Sequence, residues 1–197
     1  MQLMKFEVTI YTITALLVVT LTGCDSGKNK TTQPASSVTA QAMADAIHTV
    51  LESDRTAYAR YVVNRLTVQE KVIKATEHWK DEKTLPLPAQ MFKLSAELAQ
   101  EKATGLSYSL LSQWPINKKN APRTAAEITG LKYIADKPGE NFYTEEKLGD
   151  KRYFTAIYPD IAVAEACHAC HNKHIDSPRT DFKIGDVMGG VVIRFPL

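Results

Sequence analysis

The chain has 197 residues, the size of one domain or of a domain with an appendage. With 44% hydrophobic and 23% charged residues, 9 Gly and 9 Pro, the composition excludes collagen, low complexity and wholesale disorder, and is sufficient for a buried core. Twenty-four Lys and Arg against 22 Asp and Glu leave a formal charge of +2, too little for a nucleic-acid binder, and the densest basic stretch, Lys118, Lys119 and Arg123, reads as a solvated loop.

The N-terminus speaks to the compartment. Met1 to Glu7 carries one Lys, and Val8 to Leu21 is an unbroken run of apolar residues, Thr and Tyr. That run has the length of a signal-peptide core and falls short of the roughly 20 residues that a membrane span needs. Directly after it, Leu21-Thr22-Gly23-Cys24 resembles the bacterial lipoprotein signal, in which cleavage precedes a Cys whose thiol is acylated. The alternative is an ordinary signal peptide or uncleaved anchor with a free Cys24. The expectation is a signal peptide over 1–23 and an acylated tether over 24–40, in a protein of the bacterial cell envelope held on the periplasmic side, with Asp25 resembling the signal for inner-membrane retention. Asp25 to Ala40 is polar and contains a Pro. Sixteen such residues span about 22 Å, enough to hold a domain beside a membrane.

The remainder, 41–197, reads as one domain. From Gln41 to Lys80 apolar residues recur at three- and four-residue steps without Gly or Pro, which predicts a long amphipathic helix with Ser53-Asp54 as the point where it can break. Leu85-Pro86-Leu87-Pro88 stops it. Ala89 to Ala103 predicts a second helix with Met91, Leu94 and Leu98 on one face, ending at Gly105. Leu106 to Trp114 reads as a strand, Pro115 to Pro122 as a loop, and Thr124 to Ala135 as a short helix with a Thr cap. Asn141 to Lys147 and Lys151 to Tyr158 form a hairpin around Leu148-Gly149-Asp150, and Gly185 to Phe195 closes with a strand. Helices first, then strands with short helices among them, predict an α+β fold with an antiparallel sheet.

The residues that carry chemistry are Cys167-His168-Ala169-Cys170-His171. C-x-x-C-H is the attachment sequence of c-type haem: two thiols for the two vinyl groups, and an adjacent imidazole for the iron. Export satisfies the compartment that such attachment requires. A Cys167–Cys170 disulfide or redox pair is the bland alternative, and a zinc site using Cys167, Cys170, His171 and His174 is a third, strained by adjacent ligands at 170 and 171. One motif means one covalent haem c, with His171 as proximal ligand. His168 and His174 lie too close to His171 in the chain to reach the other haem face. The sixth position is left to His48, His78, Met43, Met91 or Met188, or to no protein ligand.

Further motifs narrow the choice. Asn117-Lys118-Lys119-Asn120-Ala121-Pro122 with Glu127, then Tyr153 to Pro159, then Cys167 to His171, then Asp181-Phe182-Lys183-Ile184-Gly185-Asp186-Val187-Met188-Gly189-Gly190, resemble the Tll0287-like haem domain family in order and spacing, from about Met91 to Leu197. The resemblance implies long N-terminal helices packed on a PAS-like antiparallel sheet with a covalent haem. It also implies that the sixth ligand comes from the helix ahead of the sheet, where relatives have Cys and this chain has Met91. A neutral thioether there favours ferrous iron and raises the potential. Ile116, where relatives have Arg, removes a charge that an anion-binding role at this loop would use.

The sequence therefore predicts a membrane-tethered monohaem c-type cytochrome that binds iron through His171 and Met91 and exchanges electrons with a redox partner protein. The alternative is an extracytoplasmic haem-based redox or gas sensor that signals through a membrane sensor protein. The chain ends at Leu197 without a transmembrane exit or kinase segment, which leans the expectation to electron transfer. Nothing marks the distal acid–base group of a peroxidase. The long helix has a stripe that would also suit a homodimer.

Overall fold

The computed structural model describes residues 38–102 and 105–197. The signal peptide, Cys24 and all but the last residues of the tether lie outside the described residues. Thr39 caps the first helix through its side chain, which accepts from the Ala42 N–H at 3.1 Å, so helix begins at Ala40.

The predicted long helix forms, but not as one α-helix. α1 (Ala40–Ala57) passes without a break at Ser53-Asp54 into a π-helix over Tyr58–Gln69, and helix stops there. The segment after it, predicted helical to Lys80, instead leaves through Lys71 with a positive φ of 57° and makes a two-residue strand, β1 (Ala75–Thr76), parallel to β2 (Leu85–Pro86). Local periodicity does not separate α from π winding, and no sequence signal marks the stop at Glu70. α2 (Pro88–Lys102) starts where Leu85-Pro86-Leu87-Pro88 predicts, with Pro in the first helical position. Its inward face is Phe92 and Ala96, whereas Leu98 is exposed, so the predicted Met91–Leu94–Leu98 stripe is displaced by one residue.

The remaining elements form where the sequence predicts, save the helix at Glu165–Lys173, which the sequence reading leaves unassigned. They are β3 (Ser107–Leu111), a 3-10 turn (Lys118–Asn120), α3 (Ala125–Asp136), β4 (Phe142–Leu148), β5 (Lys151–Ile161), α4 (Glu165–Lys173) and β6 (Val187–Pro196). α3 opens on a full capping box, Thr124 with Glu127. In the β4–β5 hairpin Leu148 pairs with Lys151, and Gly149 takes the first central position at φ +60°, as a II′ turn requires.

The sheet order is β3-β6-β5-β4, antiparallel throughout, which gives the α+β architecture. Helices cover both faces, so the central strands are buried along most of their length rather than alternating: β6 is buried from Val187 to Ile193. On one face Ala156, Tyr158, Val191 and Ile193 pack with Ala44 of α1 and Phe92 and Ala96 of α2. On the other, Ile157 and Val192 meet Leu131 and Ile134 of α3. Gly190 permits that approach, since a Cβ there would come within 2.7 Å of Leu131 and 2.9 Å of Ile134. At the end of β5 a register shift between Asp160 and Ile161 turns the chain out of the sheet and into α4. No helix among the described residues is long and apolar enough to cross a membrane.

Candidate functional site

α4 has only nine residues and no side-chain cap at Ala164. Its partners lie in the π-helix, where Asn64 Oδ1 accepts from the Ala166 N–H at 3.2 Å and Arg60 Nε donates to the Val163 carbonyl at 3.1 Å. At 3.6 residues per turn, Cys167, Cys170, His171 and His174 fall within an arc of about 100°, so one face of α4 carries both thiols and the imidazole. His168 points off that face. Both cysteines are free, Cys167 half-buried and Cys170 exposed. Partial desolvation of the Cys170 thiol raises its pKa, and Glu77 and Cys167 add to the shift.

His171 is the informative side chain. Its Nδ1 is buried without a hydrogen-bond partner, and its ring stands edge-on to Phe182 at 5.9 Å. Burial lowers its pKa, and the nearby Arg55 and His174 lower it further, which keeps the imidazole neutral at neutral pH, the form that binds metal. Phe182 is held against α4 by a two-way clamp: Asn172 Nδ2 donates to its carbonyl at 2.8 Å, and Asn172 Oδ1 accepts from its N–H at 2.9 Å. Around it pack Ala162, Met188, Trp114 and Cys167, and the Arg179 guanidinium lies over both the Trp114 and Phe182 rings.

The Lys183 to Asp186 motif explains itself in this frame. Asp186 Oδ2 accepts from the Lys183 N–H at 2.9 Å, Gly185 takes φ +90°, and the Gly185 N–H donates to the Ala162 carbonyl at 3.0 Å. A tight turn thus ties the loop after α4 to the residue just before it. Asn117 caps its 3-10 turn, and the Ser112 hydroxyl, at the end of β3, donates to the Met188 carbonyl at 2.7 Å.

Met91 lies on a separate element, in the first turn of α2, half-buried, with its sulfur 3.7 Å from the Ser95 hydroxyl. Its neighbour Gln90 is linked to the end of α4 through Glu77. Gln90 Nε2 donates to the Glu77 carbonyl at 2.8 Å, and the Glu77 carboxylate lies 3.7 Å from His174 Nε2. The other sixth-ligand candidates are scattered. His78 is exposed in the turn after β1, not on a helix; Met43 is exposed on α1; Met188 is buried in β6 beside Phe182. His48 stacks on Tyr158 at 3.9 Å and 8°. Among the described residues no three His, Cys, Asp or Glu side chains converge as a metal-ligand group, so the four-ligand zinc reading has no geometric support.

Sequence reasoning misses a buried ion pair beside this site. Arg55 of α1 meets Asp160 at the β5 register shift through two bonds, Nη1–Oδ1 at 2.9 Å and Nη2–Oδ2 at 3.0 Å, and it also bears electrostatically on His171. The partners stand 105 residues apart, and neither lies in a motif. Asn172 and Arg179, one inside the last turn of α4 and one after it, are likewise unmarked.

The donor set fits a covalent c-type haem: two free thiols one helical turn apart and, on the same face, a neutral buried imidazole with an unpartnered nitrogen against an apolar wall. The Tll0287-like family model matches residues 32–196. Among solved structures, the chain resembles one titled as the crystal structure of the cyanobacterial heme-protein Tll0287, with a TM-score of 0.51, 17% identity, and coverage of 80% of this chain and 96% of that one. At that identity the likeness is one of fold. No curated protein matches the chain.

Proposed function

The chain belongs to the Tll0287-like family, and from that premise we propose that it is a monohaem c-type cytochrome, tethered to a membrane through acylated Cys24, that carries electrons to or from a redox partner protein. One observation carries the reading: Cys167, Cys170 and His171 share one face of α4, and the buried His171 Nδ1 has no partner. The similar solved protein is itself titled a heme-protein.

When bound, the haem supplies a one-electron Fe(III)/Fe(II) couple. Cys167 and Cys170 are the residues that would hold it, each through a thioether formed by addition of its S–H across one vinyl group. His171 offers a neutral imidazole, kept so by burial and by Arg55. Met91, on α2, would offer its thioether as the second iron ligand, a donor that favours the reduced state. Phe182, Trp114 and Met188 exclude water from the imidazole side. The guanidinium of Arg55, fixed by Asp160, disfavours added positive charge near His171 and so also favours Fe(II).

A second reading, a redox or gas sensor that signals through a partner, has one observation in its favour. The π-helix that holds α4 through Asn64 and Arg60 continues directly into α1, so a movement of α4 has a path to the long helix. The two readings separate in the visible spectrum of protein matured in a periplasm, recorded oxidised, reduced and reduced with CO, after acid-acetone extraction to test covalency. Sharp reduced bands indifferent to CO, with the long-wavelength Met-to-ferric band, support electron transfer through His171 and Met91. A CO-sensitive spectrum supports the sensor. Haem extracted by acid-acetone, or none bound, rejects both.

A further inference from the structure

α1 carries two rows of side chains, and the fold uses only one of them. Ala44, His48, Leu51 and Arg55 turn toward the domain: Ala44 is fully buried, Leu51 packs on the same cluster, His48 stacks on Tyr158, and Arg55 pairs with Asp160. The other row is Met43, Ala46, Val50, Ser53 and Ala57, all of them exposed, Met43 by 44% and Val50 by 60%. These residues recur at alternating three- and four-residue steps, the a and d positions of a heptad repeat. Beside them Ile47 and Leu51 join Ala46 and Val50 to line an open apolar hollow of about 350 Å³.

The exposed row is therefore not core, and an apolar patch of this kind marks an interaction surface. Its period selects the occupant. A 3.5-residue repeat keeps one seam turned toward a partner helix that supercoils with it, and α1 of a second copy has the matching repeat. Charge agrees and sets the direction. In a parallel, in-register pair the flanking positions bring Ala42 to Ile47 and Thr49 to Asp54 of the second copy, so no carboxylate meets another. An antiparallel pair centred on Val50 would instead set Asp54 on the apolar Ile47. Asp45 stands off the seam, turned into the domain where Tyr143 and Tyr158 both donate to it at 2.7 Å.

We propose that α1 pairs in parallel with α1 of a second copy through Ala46, Val50 and Ala57, with Ile47 flanking the seam, so that the protein on its membrane is a homodimer. The direction and strength of the pair rest on the acylated Cys24 of the reading above. The tether enters α1 at its N-terminal end, so anchors in one bilayer present both helices with the same polarity. From Met43 to Ala57 the row spans two heptads, fewer than the roughly three to four that mark a free-standing coiled coil. Confinement to one surface supplies the effective concentration that so short a seam needs. The row ends where the winding changes at Tyr58.

Disulfide cross-linking of the full-length protein in its own membranes tests the pairing. In the mature holoprotein Cys24 is acylated and Cys167 and Cys170 are thioethers, so an introduced cysteine is the only free thiol. Ala46→Cys and Val50→Cys should each give a species of doubled mass on mild oxidation, because a parallel two-fold pair sets each seam residue beside its own counterpart. Lys132→Cys, exposed on α3, and the parent chain should stay monomeric. Adding Val50→Asp to Ala46→Cys should abolish the cross-link while the visible spectrum of the haem stays unchanged. Cross-linking no stronger at Ala46 and Val50 than at Lys132 overturns the proposal, as does a cross-link at Ala46 that survives Val50→Asp. A dimer at Val50 alone marks an antiparallel pair and overturns the direction. Seam thiols that stay monomeric and resist a water-soluble maleimide, while the one at Lys132 reacts, would mean that lipid covers the face, which also overturns the pairing. Fractionation of the same cells keeps the anchor separate: protein found in the soluble periplasm defeats the anchored reading, and the pairing then stands or falls by the same cross-links in that soluble protein.

Discussion

Arg194→Met should be the most damaging single substitution outside the haem site. Arg194, on β6, reaches Glu127 at the cap of α3 and Glu146 on β4, both at 2.7 Å, with side-chain exposures of 13% for the Arg, 7% for Glu127 and 10% for Glu146. Removing the cation leaves two carboxylates in a site with little water to solvate them. Loss of one partner from a buried pair costs about 3–5 kcal/mol. For a domain of this size that corresponds to a fall in Tm of about 6–20 °C. The pH dependence sharpens the test. Burial raises the pKa of Glu146, but hydrogen bonds from Thr155 and Arg194 outweigh it and hold the folded-state pKa below the ordinary value. Its contribution is therefore present above the unfolded pKa, near 4.5, and is lost as pH falls through the lower folded value. The variant lacks that contribution, so the gap between the two proteins should be widest near pH 7 and narrow below about pH 4.5. Urea unfolding across this range reads the gap, and adding Glu127→Gln and Glu146→Gln to Arg194→Met should recover much of it. A loss under 1 kcal/mol, or a gap that does not change with pH, would refute the electrostatic account.

Four other substitutions address the proposed function. Cys167→Ala or Cys170→Ala should weaken or abolish covalent haem, read by acid-acetone extraction and haem-stained gels; covalent haem surviving loss of both thiols contradicts the attachment site. Met91→Ala should expose the sixth position, so that CO fully shifts the reduced spectrum and the potential falls, whereas an unchanged ligand spectrum would hand the position to His48, His78, Met43 or Met188. Cys24→Ser should move the protein from the membrane fraction to the soluble periplasm; if it stays with membranes, acylation is not the anchor.

What the sequence discloses follows from the range over which each feature is determined. The C-x-x-C-H face of α4, the capping box of α3 and the β4–β5 turn are set by residues within about five positions of one another, and each forms where its motif lies. The π winding of Tyr58–Gln69 leaves no such mark, because an apolar stripe at mixed three- and four-residue steps suits either helix. On α2 the stripe of Met91, Leu94 and Leu98 is as apolar as the true inner face. Only the sheet decides for Phe92, whose ring meets Tyr108 edge-on at 5.2 Å. The Arg55–Asp160 pair and the two tyrosines on Asp45 join residues about a hundred positions apart, so no local pattern announces them.

The dependence of α4 on Asn64 bears on how the protein matures. A helix of nine residues without a side-chain cap is not stable alone, since isolated helices shorter than about 12 residues are marginal in water. Its first turn is held by a side chain 102 residues earlier in the chain. The segment from Glu165 to Lys173 therefore acquires its shape only after the N-terminal helices have come to rest on the sheet, and this makes it a late element of folding. Until then the two thiols and the imidazole belong to an unstructured stretch. For the proposed covalent haem, this means that both sulfurs would be offered to the two vinyl groups on a pliable segment, and that the later closing of α4 would end access to them.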